Sequence, residues 1–344
     1  MADEPSGSEV MIDLNIVLNK MSDDNARLSF LENLRKKVED NLTSNPKLKP
    51  LLWQIASALS PIYIHHNRTE DAAKLFESAG VYDQAAVNFM KVRAFGDAGR
   101  CYSKNGEHEK ALQLYTQAEM WLPAAEIADQ TGNPTVAKNL YSKAIEQFTN
   151  SREYEKAAYA AEKAGLVKET LTLTADHIDH IGNKDSKFLY QELVERALKA
   201  NFRPLAIELA IRGELFDQAI QMAIQDHQTD QVPEIYQQYL NSLYPKERMP
   251  VFKRYISFLT EHATVAVVRV AYQKEVRHLI ERAELLSAGM LAEEAKLPEA
   301  AEIYRQAMEI AESNADFAQA TLAATKLGLA SEANYYRQLA SMIG

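Results

Sequence analysis

Residues 71–80 read "DAAKLFESAG". The paired alanines, the single aromatic and the closing glycine return at a fixed distance. Stepping thirteen residues at a time from Ala72 lands on Ala85, Ala98, Ala111, Ala124 and Ala137. Three residues beyond each stand Leu75, Asn88, Cys101, Leu114, Ile127 and Leu140. One further on stand Phe76, Phe89, Tyr102, Tyr115, Ala128 and Tyr141. The seventh positions hold Ala79, Val92, Asn105, Ala118, Thr131 and Ala144. Only Asn88, Asn105 and Thr131 break the small or apolar pattern. Those offsets trace one face of an α-helix, and the residues between them (Lys74, Glu77, Arg100, Lys104, Gln113, Lys138) suit a solvated face. A thirteen-residue period predicts helices of about ten residues joined by tight turns.

Glycine follows the pattern at Gly80, Gly106 and Gly132, whereas Arg93, Glu119 and Ile145 occupy the alternate turns. Glycine is favoured just past a helix end because it enters the left-handed region without a Cβ clash. The expected structural unit is therefore a helix pair of twenty-six residues whose first member ends at glycine. Asn133-Pro134 reads as an N-cap followed by the first helical residue. Helices this short are marginal alone, so stability has to come from stacking on their neighbours. The fold class expected is all-α, an α-α superhelix of antiparallel pairs.

After Ala137 the register slips by seven residues, to Ala157 and Gly165, which predicts one longer helix over "TVAKNLYSKAIEQF" (135–148). The pattern resumes at Ala206, Ala219 and Val232, and again at Ala300 and Ala320. Five segments follow: a disordered tail at 1–10, capping helices at 11–67, short repeats at 68–182, central repeats with a basic segment at 183–282, and helix pairs at 283–344. The valine-rich "ATVAVVRVAY" (263–272) has strand propensity but no sheet to join, so it is expected as a buried helix.

Ala111-Tyr115-Ala118, Ala137-Tyr141-Ala144 and Ala300-Tyr304-Ala307 resemble the second-helix signature of tetratricopeptide repeats. The shorter pairs, as in "AAKLFESAGVYDQAAVNFMKV" (72–92), look more like the helical tails of coatomer and intraflagellar-transport subunits. These resemblances imply a non-catalytic surface that holds other proteins, often in trafficking complexes. The functional expectation is a protein-interaction scaffold or adaptor. The alternatives are a vesicle-trafficking or coat-associated subunit, a peptide- or ligand-sensing regulatory domain, and, last, an enzyme on helical repeats.

Composition narrows the classes. The 344 residues carry a net charge of −10, which argues against a general nucleic-acid binder. The acidic start "MADEPSGSEV" lacks the regions of a secretory signal, and "LLWQIASALSPIYI" (51–64) is too short and broken to span a bilayer. The chain reads as cytoplasmic, with no transmembrane segment. No phosphate-binding loop or His-Glu-x-x-His motif is present, so no catalytic residue, cofactor or metal is expected. His177 and His180, beside Asp176 and Asp179, have zinc-compatible spacing but no evident third ligand, and read as a solvated helix end. His65-His66 face different ways. Cys101, on the apolar face, reads as a small buried hydrophobe, and Glu293-Glu294 as surface charge.

Residues 245–282 stand apart. They hold eight cations against four glutamates, a local excess of four positive charges in an acidic chain. Lys246, Arg248, Lys253, Arg254 and Arg277 are the candidate partner-binding residues, suited to an acidic peptide or an anionic membrane surface.

Overall fold

The computed structural model describes residues 14–21, 23–182 and 185–343. Among these, twenty-one α-helices and two short 3-10 turns account for the regular structure, with no strand. The tail expected at 1–10 lies outside the described residues. Two compact units divide the chain, Met1–Leu189 and Tyr190–Gly344.

In the first unit, α1 (Leu14–Leu18), α2 (Asp24–Leu42) and α3 (Lys49–His65) precede the repeats. The repeats follow as α4 (Thr69–Ser78), α5 (Tyr82–Lys91), α6 (Phe95–Lys104), α7 (His108–Gln117), α8 (Trp121–Gln130) and α9 (Pro134–Asn150). All six begin thirteen residues apart, as the alanine register predicts. Ala72, Ala85, Ala98, Ala111 and Ala124 are wholly buried, and one core runs from Leu31 and Leu52 of α2 and α3 through to Tyr141. Asn88 joins this face by donating to the Gln84 carbonyl at 2.8 Å and accepting from Lys91 at 3.1 Å. The small residues allow close approach: a Cβ added at Gly99 would lie 3.0 Å from the Tyr115 ring.

The turns correct one expectation. Gly80, Gly106 and Gly132 have positive φ, but so do Arg93 (φ 60) and Glu119 (φ 54). Every turn closes with the same bond, from Val81 N–H to the Phe76 carbonyl at 2.8 Å, Ala94 to Phe89 at 2.9 Å, and Glu107 to Tyr102 at 2.9 Å. This is the Schellman closure, which satisfies a helix-end carbonyl. The backbone therefore repeats every helix, and glycine lowers the strain at alternate turns without marking a different one. At Asn133 the N-cap position is as expected, but no side-chain capping bond forms; its amide instead donates to Thr131 Oγ1 at 3.3 Å.

α9 absorbs the seven-residue slip: it passes Ile145 and ends at Asn150, with Arg152 taking the positive φ. α10 (Tyr154–Lys163), α11 (Val167–Ile181) and α12 (Ser186–Lys199) continue the chain to the second unit. His177 and His180 lie near the end of α11, where His180 meets Tyr154 edge-on at 5.7 Å between ring centroids.

The second unit contains α13 (Arg203–Arg212), α14 (Phe216–Gln225), α15 (Val232–Ser242), α16 (Pro245–His262), α17 (Val265–Glu281), α18 (Leu285–Glu294), α19 (Ala300–Ser313), α20 (Phe317–Lys326) and α21 (Ala330–Ile343). Consecutive helices again pack in pairs, the tetratricopeptide-like α-α superhelix arrangement. The valine-rich stretch is helical, but its expected burial is wrong: Val265 is 86% exposed, Val267 46% and Val270 49%. The buried stripe of α17 runs through Ala271, Glu275, Val276 and Leu279, and these valines fall off it.

Candidate functional site

The basic segment folds as α16 and α17, and it is held together from inside. Arg248 Nε donates to Glu275 Oε1 at 2.6 Å, and Nη2 donates to Oε2 at 2.9 Å. Its Nη1 donates to the Leu240 carbonyl at the end of α15, so one guanidinium joins three helices. Both side chains are buried, and the bidentate geometry is the form in which such a pair tolerates leaving water.

Around this pair lies a cavity of about 320 Å³. Met249, Leu279, Met290 and Leu291 form its apolar lining, while Lys246, Lys253, His278 and Arg282 bring nitrogen to it. Arg282 is paired with Glu284 at 3.1 Å. Lys246 and Lys253 are exposed and have no ion pair among the described residues. Glu294 also reaches the cavity and accepts from the Tyr272 hydroxyl at 3.0 Å. Its neighbour Glu293 accepts from the Tyr304 hydroxyl and from Lys326, both at 2.8 Å, so this pair ties helices together as well as carrying charge.

Three of the five candidate residues, Lys246, Arg248 and Lys253, thus meet at one cavity. Arg254 does not: it pairs with Asp217 of α14 at 2.7 Å and lies over the Tyr239 ring. Arg277 is exposed and borders a separate hollow with Gln237, Lys274 and Glu281. The sequence reading missed Met249, His278, Met290 and Leu291. Their only signal was helical spacing toward a common side, which becomes visible only where α16, α17 and α18 line one cavity. Among the described residues no three of His, Cys, Asp and Glu gather as a metal site. None of the helices there is long and apolar enough to cross a membrane.

Residues 63–240, just over half of the chain, match the protein family described as "Soluble NSF attachment protein, SNAP". The chain belongs to the SNAP family. Members of that family are non-catalytic, tetratricopeptide-like adaptors, in keeping with the tetratricopeptide resemblance of the sequence. The SNAP match begins near the end of α3 and closes in α15, five residues before the basic segment opens. No curated protein sequence matches the chain. Solved structures similar to this SNAP-family chain include Naa15/Naa10 bound to HypK-THB, at 12% identity and a TM-score of 0.26 over 85% of this chain and 48% of that one. BtubC from P. vanneervenii is similar at 11% identity and a TM-score of 0.18, over 78% of this chain and 93% of the other. The chain thus spans about half the length of the first of these.

Proposed function

We propose that this protein is a cytoplasmic attachment adaptor of vesicle trafficking, which brings an NSF-type ATPase to SNARE proteins. The observation that carries the reading is the SNAP match over residues 63–240, across helices whose buried alanine register leaves their outer faces free for partners. Its mechanism is shape. A stack of short rigid helices presents preordered side chains, so little conformational entropy is lost when a partner binds.

The cationic segment supplies the electrostatic part of the reading. Lys246, Lys253 and Arg277 are exposed and attract an acidic partner, while Arg248 and Arg254 hold the helices that present them. The test is reconstitution: purified chain, the host's NSF ATPase and a fluorescently labelled SNARE complex, with ATP. Disassembly that requires the chain is the expected result. Failure of the chain both to recruit the ATPase and to support disassembly would overturn the reading.

A further inference from the structure

The outer face of α17 has an unusual make-up for this chain. From residue 263 to the end of the helix it exposes Thr264, Val265, Ala266, Val267, Arg269, Val270, Lys274, Arg277 and Ile280, and a single carboxylate, Glu281, at its last position. The other acidic residue in that span, Glu275, is buried against Arg248. Val267, Val270, Lys274 and Arg277 follow one another at spacings of three and four, a single stripe that is aliphatic in its first half and cationic in its second until Glu281 closes it. Arg269, Lys274 and Arg277 have no ion pair among the described residues.

We propose that this face of α17 rests on an anionic lipid surface, with Val265, Val267 and Val270 entering the headgroup boundary and Arg269, Lys274 and Arg277 meeting lipid phosphates and carboxylates. An interfacial helix needs both parts: aliphatic area to bury and cations on the flanking polar face. Long basic side chains reach headgroups while their stems lie along apolar surface. Val265 favours lipid over a folded partner. At 86% exposed it projects from the start of the helix, and a fluid interface receives a projecting side chain without a matching pocket. Val267 and Val270 do border a hollow of about 310 Å³ with Pro233 and Tyr255, which makes an acidic peptide the competing occupant. The other exposed carboxylates nearby sit on neighbouring helices: Glu234 of α15, which borders the same hollow, and Glu261 of α16. The surface is distinct from the cavity around Lys246 and Lys253, and the inference stands whether or not the chain recruits an NSF-type ATPase.

The experiment uses the full chain and sedimented vesicles, either of phosphatidylcholine alone or of an equal mixture with phosphatidylserine. Binding to the mixed vesicles only is expected. Val265→Asp, at a side chain that supports no packing, should lower the partition about tenfold or more. Lys274→Gln with Arg277→Gln should lower it about thirtyfold, since each cation near such a surface contributes a comparable factor. A fluorophore on Val265→Cys gives a direct readout, because Cys101, the chain's other thiol, is wholly buried. Its emission should shift to the blue with mixed vesicles. No sedimentation, no shift, or equal binding by Val265→Asp would overturn the proposal. So would an emission shift with polyglutamate but none with vesicles, which would assign the face to an acidic protein.

Discussion

Arg248 and Glu275 meet edge to edge, with two parallel bonds of 2.6 and 2.9 Å in a site where both side chains are buried. The guanidinium's third bond, to the Leu240 carbonyl, makes the pair a junction of α15, α16 and α17. Removing one partner leaves the other charged, buried and unpaired. Glu275→Leu or Arg248→Met alone should therefore cost about 3–5 kcal/mol, while the double substitution should recover most of that loss. Urea unfolding of the four variants closes the cycle.

Two glycines test how close approach is tolerated. A Cβ at Gly96 would fall 2.3 Å from Met120 Sδ, and one at Gly213 would fall 2.3 Å from Tyr190 Cβ. The distances are equal but the neighbours are not. Met120 is an exposed, flexible side chain that can swing away, whereas Tyr190 is buried and its Cβ is fixed to the backbone. Gly213→Ala should cost about 1–3 kcal/mol by overpacking. Gly96→Ala, inside α6, should be neutral or gain up to about 1 kcal/mol from helix propensity. Thermal unfolding of both variants distinguishes the cases.

The thirteen-residue spacing of the six repeat helices α4 to α9 was legible because burial there follows a strict local period. Ala72 to Ala137 need no knowledge of distant partners. The turns at Arg93 and Glu119 were hidden because propensity points to glycine, while the Schellman bonds hold other residues in the same conformation. The valines of α17 misled for a related reason: an apolar residue was read as an inward one, although Val265, Val267 and Val270 lie off the stripe set by Ala271 and Glu275. At the cavity, the cations Lys246 and Lys253 were visible as a charge excess. That Arg248 would turn inward depended on Glu275, twenty-seven residues away, and only packing shows it.

Arg93 and Glu119 predict easy stabilisation. An L-residue held in the left-handed region is strained by about 1–2 kcal/mol, part of which glycine gives back through its own larger entropy loss. Glu119→Gly should thus raise stability by about 1 kcal/mol, and Gly106→Ala, at the equivalent turn with φ 81, should lower it by a similar amount. Differential scanning calorimetry of the pair checks both signs.

Burial pushes the Cys101 thiol from 9.0 up to about 11, with the Glu77 carboxylate adding to the effect. Burial likewise raises the Tyr141 phenol from 10.0 to about 12, helped by Asp129. Both groups are neutral acids whose folded pKa lies above the unfolded one. Their contribution is whole below about pH 9 and is lost as pH rises through the folded values. Stability should fall between pH 9 and 12, and Cys101→Ala should flatten the first part of that fall. The same burial predicts that iodoacetamide labels Cys101 only after unfolding.

Lys246 and Lys253 are the residues by which to test acidic-partner capture without disturbing the fold. Reversing Arg254 would set a carboxylate against Asp217, now 2.7 Å from its guanidinium, and reversing Arg248 would break the buried junction. A loss of binding in either variant would have two explanations. Lys246 and Lys253 are exposed, unpaired among the described residues, and line the cavity around the Arg248–Glu275 pair. Lys246→Glu with Lys253→Glu should leave the urea midpoint within about 0.5 kcal/mol of the parent, as surface substitutions do. It should slow association with an acidic partner at least about tenfold and weaken the salt dependence, because rim charges act mainly on encounter. Stopped-flow association with the SNARE complex at two ionic strengths measures both. Unchanged rates with an intact fold would remove these lysines from the binding surface.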